Sequence, residues 1–62
     1  MIASLRGAVV DKNEDNIVVE VGGVGIKIYV PAPLCDSLSI GEQVSLQTHL
    51  VVREDSLTLY GF

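Results

Sequence analysis

Apolar and polar residues alternate along most of this chain with a period of two, and the breaks in that alternation divide it into five short segments. A period of two is the signature of strands with one face in a core. Ile2 to Val10 reads as the first strand, with Gly7 inside it as a bulge or bend that would curve it. Asp11 to Asn16 is a polar hairpin loop, after which Ile17, Val19 and Val21 alternate with Val18 and Glu20 in a second strand. Gly22 and Gly23 supply the positive φ angles of a tight hairpin turn. The third strand follows, with Val24, Ile26, Ile28 and Val30 on one face and Gly25, Lys27 and Tyr29 on the other.

Pro31 and Pro33 end that strand because neither can donate to a ladder. Leu34 to Leu38 then reads as one short helical turn, with Leu34 and Leu38 sharing its buried side, and Ser39 to Glu42 as a turn around Gly41. In the fourth strand Val44, Leu46, Thr48, Leu50 and Val52 alternate with Ser45, Gln47, His49 and Val51. It runs into a hairpin whose tip, Arg53 to Ser56, has turn composition, and Leu57, Leu59 and Tyr60 form a short fifth strand. The predicted fold is all-β, with one short helical turn between strands three and four. This is the layout of the OB-fold, a five-stranded Greek-key barrel, with an SH3-like barrel as its closest competitor. Gly61-Phe62 ends the sequence without a cap or polar tail, so the chain reads as cut at a domain edge.

Length makes this core marginal. A domain of 62 residues buries only about 60% of its unfolded surface, and such domains lean on disulfides, metals or association. A single cysteine, Cys35, closes no intrachain bridge, and with His49 as the one histidine no zinc-ligand spacing exists. Association or a longer chain is the remaining support, in keeping with an apolar share of 48%. Four basic residues against eight acidic ones give a net charge of −4, the opposite of a DNA-binding footprint. No apolar run approaches a membrane span, and Arg6 interrupts the only candidate leader. The expectation is a soluble, cytosolic domain.

Few residues offer chemistry. Gly22-Gly23-Val24-Gly25 lacks the Lys-Ser/Thr and the downstream helix of a phosphate loop, so it reads as a turn. His49 as a general base would make a small hydrolase, but no nucleophile motif accompanies it. Tyr29, Tyr60 and Phe62 are the only aromatics, too few for a single-strand stacking platform, and Tyr60 and Phe62 read as packing residues. Glu54 and Asp55 are adjacent carboxylates at the hairpin tip. Acids in a surface turn are ordinarily just solvated, yet loops on rigid scaffolds carry much of protein function. No catalytic site, metal or cofactor is expected.

Several of these stretches resemble the RuvA N-terminal domain family, over the whole chain. The carriers are Met1-Ile2 with Leu5-Arg6-Gly7, then Glu20-Val21-Gly22-Gly23-Val24-Gly25, then Thr48-His49 followed by Val52-Arg53-Glu54-Asp55 and Leu59-Tyr60-Gly61-Phe62. Ile26 departs from the aromatic common in the family, and the Pro31 to Gly41 connection is variable there. The resemblance implies an OB-fold at the core of a flat homotetramer that binds four-way junction DNA during recombination and repair. Glu54 and Asp55 match the family's acidic pin beside the junction crossover. It further implies that helix-hairpin-helix motifs and a motor-binding domain follow in longer proteins, with the RuvB motor and the RuvC resolvase as partners. The domain would contribute no catalysis of its own. The alternative is a generic OB-fold module for single-stranded nucleic acid.

Overall fold

The computed structural model describes residues 2–52 and 57–62. Five strands and one helix follow in the order β1 (Ile2–Lys12), β2 (Asn16–Val21), β3 (Val24–Tyr29), α1 (Ala32–Ser37), β4 (Gln43–Val52) and β5 (Leu57–Gly61). They close into a barrel in which β1, β2, β3, β5 and β4 are neighbours in that order, and β4 pairs back onto β1. All contacts are antiparallel except β3 with β5, which run parallel and meet at Tyr29 and Tyr60. This is the predicted OB-type barrel, with α1 spanning the connection between β3 and β4 as expected.

One long strand serves two neighbours. Ile2 to Ala8 of β1 pair with β4, while Ala8 to Lys12 pair with β2. The handover falls where Gly7 sits, but Gly7 is not a bulge: its register with β4 runs unbroken to Val44. A side chain there would collide with the Glu20 carbonyl oxygen and come within 2.8 Å of a Val19 methyl. Gly7 therefore lets β1 cross tightly over β2. The register shift lies between Val9 and Asp11, so the extra residue is Val10. That bulge carries the strand on to Lys12, two residues past its predicted end, and the loop shrinks to residues 13–15, closed by the Asn13 amide donating to the Asn16 carbonyl at 2.8 Å. Polar residues at a strand end look like loop in sequence because nothing in the alternation separates them.

The β2–β3 hairpin is as predicted, with Gly22 at φ 58° and Gly23 at φ 86° between the paired Val21 and Val24. The helix differs from its prediction in extent and in what it buries. It begins at Ala32 and takes Pro33 into its first turn, where the missing N–H is no loss. Leu38 lies just past its end in extended backbone but is buried, Leu34 is only half-buried, and Cys35 is the residue the helix inserts.

Val9, Ile17, Val19 and Ile28 are completely buried, and Val30, Cys35, Leu38, Val44 and Leu46 complete the core among the described residues. Leu5, Ile26, Leu34 and Leu59 pack around it. Each fully buried aliphatic side chain contributes about 1.5–3 kcal/mol relative to exposure. Two polar residues are also buried, Thr48 and Asn16. Asn16 is held by its own loop, accepting from the Asn13 amide at 2.8 Å and donating to Asp15 at 2.9 Å.

Candidate nucleic-acid interface

The β4–β5 hairpin is built from five register pairs, from Thr48 with Gly61 out to Val52 with Leu57. Beyond Gly61 the ladder gains two more bonds, as Gln47 and Phe62 exchange backbone N–H and carbonyl groups at 3.0 and 3.1 Å. Along the core-facing side of β4, Val44, Leu46 and Thr48 are buried, Leu50 is half-buried, and Val52 is 67% exposed. Burial fades while pairing continues. The outer end of the hairpin therefore projects past the core as a paired stem, and residues 53–56 join its two strands. Glu54 and Asp55 belong to that connection and lie outside the described residues.

Opposite parity sends other residues outward. His49 is exposed and sits in register between Ile2 on β1 and Tyr60 on β5. Cys35, in contrast, is buried, its thiol donating to the Asn13 carbonyl at 2.7 Å. His49 and Cys35 are thus not brought together as a pair. Among the described residues no group of three His, Cys, Asp or Glu side chains gathers to hold a metal. No described helix is long and apolar enough to cross a membrane.

Phe62 does not pack as predicted: it is 68% exposed, and Tyr60 is 42% exposed. The reason is Gly61. A Cβ at Gly61 would lie 2.8 Å from an Ile28 methyl, so Gly61 takes the inward position and its two aromatic neighbours take the outward ones. Barrel closure then sets Tyr60 beside Tyr29, with ring centroids 5.8 Å apart and planes tilted by 39°. Lys27 places its ammonium 5.2 Å from the Tyr29 ring centre. Sequence reasoning names Tyr29 and Tyr60 but not their contact, because they are far apart in the chain and only the strand order brings them together.

Comparison with known proteins identifies a family. Residues 1–61 match the family described as RuvA N terminal domain. The chain belongs to the RuvA N-terminal domain family. Its relatives include the Holliday junction branch migration complex subunit RuvA of Roseiflexus sp. (strain RS-1), 56% identical over the full chain and 32% of the relative. The protein of the same name from Salinispora arenicola (strain CNS-205) is 52% identical over the full chain and 31% of its own length. That from Chloroflexus aurantiacus (strain ATCC 29364 / DSM 637 / Y-400-fl) is 49% identical over the full chain and 32% of its length. The chain thus spans about a third of the length of these RuvA relatives.

Proposed function

We propose that this domain forms the centre of a junction-binding assembly in DNA recombination and repair, where it presents Glu54 and Asp55 at the strand crossover. Family membership over residues 1–61 carries this reading, since the relatives bear the name of a Holliday junction branch migration complex subunit. The projecting β4–β5 stem supports it, because a rigid, paired base is what a pin requires. In this proposal four copies assemble around the crossover, and the two thirds of the relatives' length that this chain does not span supply the grip on duplex arms and the contact with the RuvB motor. RuvC resolvase would act on the same junction. The domain works in the cytoplasm and by charge and shape, without catalysing a reaction.

The physics is repulsion placed where it selects. Four chains would bring eight carboxylates, two from each, near the phosphates of the crossing strands. One like-charge pair at about 10 Å costs roughly 0.4 kcal/mol in water before screening. Summed over several pairs this reaches a few kcal/mol, enough to disfavour a continuous duplex across the centre while junction strands diverge around it. Discrimination arises from a penalty against the wrong ligand.

The test is a chimaera carrying this domain ahead of the remainder of the Roseiflexus relative. Changing Glu54→Gln and Asp55→Asn together should leave the fold intact, as surface substitutions usually do. Linear duplex should bind more tightly and four-way junction little differently, so the junction-to-duplex affinity ratio at fixed salt falls. An unchanged ratio with an intact assembly would return both residues to ordinary solvated turn positions.

A further inference from the structure

Three rows of core-facing side chains run out of the core at the same end of the barrel. On β2 Ile17 and Val19 are buried and Val21 is exposed, and on β3 Ile28 is buried, Ile26 half-buried and Val24 exposed. On β4 the row passes from buried Leu46 and Thr48 through half-buried Leu50 to exposed Val52. Pairing makes these ends coincide. Val21 is the register partner of Val24, β3 and β5 run parallel, and Val52 pairs with Leu57 at the start of β5. The opposite end is plugged by α1, whose buried Cys35 thiol lies against the carbonyls of Asn13 and Asn16, where β2 begins. No charged residue interrupts any of the three rows. Among the described residues, a helix closes one end of the barrel, and the other carries an uncovered apolar rim from which the β4–β5 stem continues.

Val52 stands apart from the other two valines. At 67% exposed it gains little from the fold for being apolar, and its place in a paired strand fixes the direction of its side chain. Glu54 and Asp55 follow two and three residues later. We propose that Val52, with Val21 and Val24 on the same rim, contacts the exposed face of a base pair beside the crossover of a four-way junction. This rests on the proposed placement of the β4–β5 hairpin at that crossover. A base pair there has lost a stacking neighbour, and its free face is flat, apolar and uncharged, the kind of surface that aliphatic wedges cover where proteins part base steps. Phosphates are the wrong partner for a valine, and the carboxylates that follow it in the chain repel them. The two kinds of residue then act on different parts of the DNA. Glu54 and Asp55 act against the backbone, and Val52 favours the unstacked arrangement of the bases.

The same chimaera tests this, titrated onto a four-way junction that carries 2-aminopurine in a base pair next to the crossover. Binding should raise the 2-aminopurine fluorescence, which reports loss of stacking, and a probe in the middle of an arm should not respond. Val52→Thr keeps the shape and the strand preference but replaces a methyl with a hydroxyl. It should weaken junction binding about threefold to tenfold, leave linear duplex binding as it was, and lower the fluorescence rise even at saturation. Val52→Ile, apolar and branched alike, should restore both. The proposal is overturned if the parent chimaera binds the junction without a rise, if Val52→Thr gives the parent's rise and affinity, or if duplex binding falls equally. Smaller species on sedimentation of Val52→Thr would also overturn it, by making Val52 a contact between copies. The pin reading fails by a different measurement, an unchanged junction-to-duplex ratio in the Glu54→Gln, Asp55→Asn variant, so either can fall while the other stands.

Discussion

Glycines in this barrel answer to different causes, and each cause makes its own prediction. At Gly7 the obstacle to a side chain is the Glu20 carbonyl, part of a paired strand that cannot step aside. At Gly22 a side chain's first carbon would meet nothing within 4 Å, and the obstacle is the backbone angle of φ 58°. Left-handed backbone costs a non-glycine residue roughly 1–2 kcal/mol, while forcing atoms into a packed site costs about 1–3 kcal/mol and sometimes more. Gly7→Ala should therefore destabilise more than Gly22→Ala, measured as the shift in urea midpoint at constant slope. Equal costs would mean that β1 can move away from β2. The turn glycines were legible because two adjacent glycines between alternating runs have one common use. Gly7 was legible as a special position but not for its reason, since the strand that crowds it lies 13 residues away in the sequence.

Between elements, the helix is fastened by a residue that looks like loop in the sequence. Lys12 at the end of β1 donates to the Leu38 carbonyl at 2.7 Å and to the Cys35 carbonyl at 3.3 Å. Its reach depends on the bulge at Val10, which carries β1 far enough to deliver the ammonium to the end of α1. Cys35 reinforces the same junction from the helix side through its contact with the Asn13 carbonyl. Helices of six residues do not hold themselves in water, so α1 depends on these contacts and on Leu38. Lys12→Met keeps the apolar stem and removes the donor, and should cost about 1 kcal/mol. Hydrogen exchange should locate the loss, with the Cys35 and Leu38 amides less protected and those of β2 and β4 unchanged. Uniform loss of protection would show that Lys12 supports the whole barrel instead. None of this was readable from spacing, because a lysine in a polar run carries no mark of its partner.

For the whole molecule, alternation was enough to predict five strands and the barrel, since burying one face of each strand in so short a chain leaves few solutions. What the pattern could not rank was how the closed barrel meets other molecules. β2 and β4 are paired on both sides along most of their length, so copies should associate there through side-chain faces and not by adding strands. Such apolar surface exists: Val10, Val21, Val24, Ile40 and Val52 are all exposed. With a small core and no disulfide, association adds burial that the monomer lacks. The isolated chain should therefore self-associate, and its thermal midpoint should rise with concentration, as it must when the associated state is folded. Each copy carries a net charge of −4, so repulsion opposes assembly at low ionic strength. Added salt should shift sedimentation toward larger species, the reverse of an assembly held by opposite charges. A cooperatively unfolding monomer at several hundred micromolar, with a midpoint independent of concentration, would show that this barrel is sufficient alone. The proposed four-fold assembly would then have to be built by contacts outside these 62 residues.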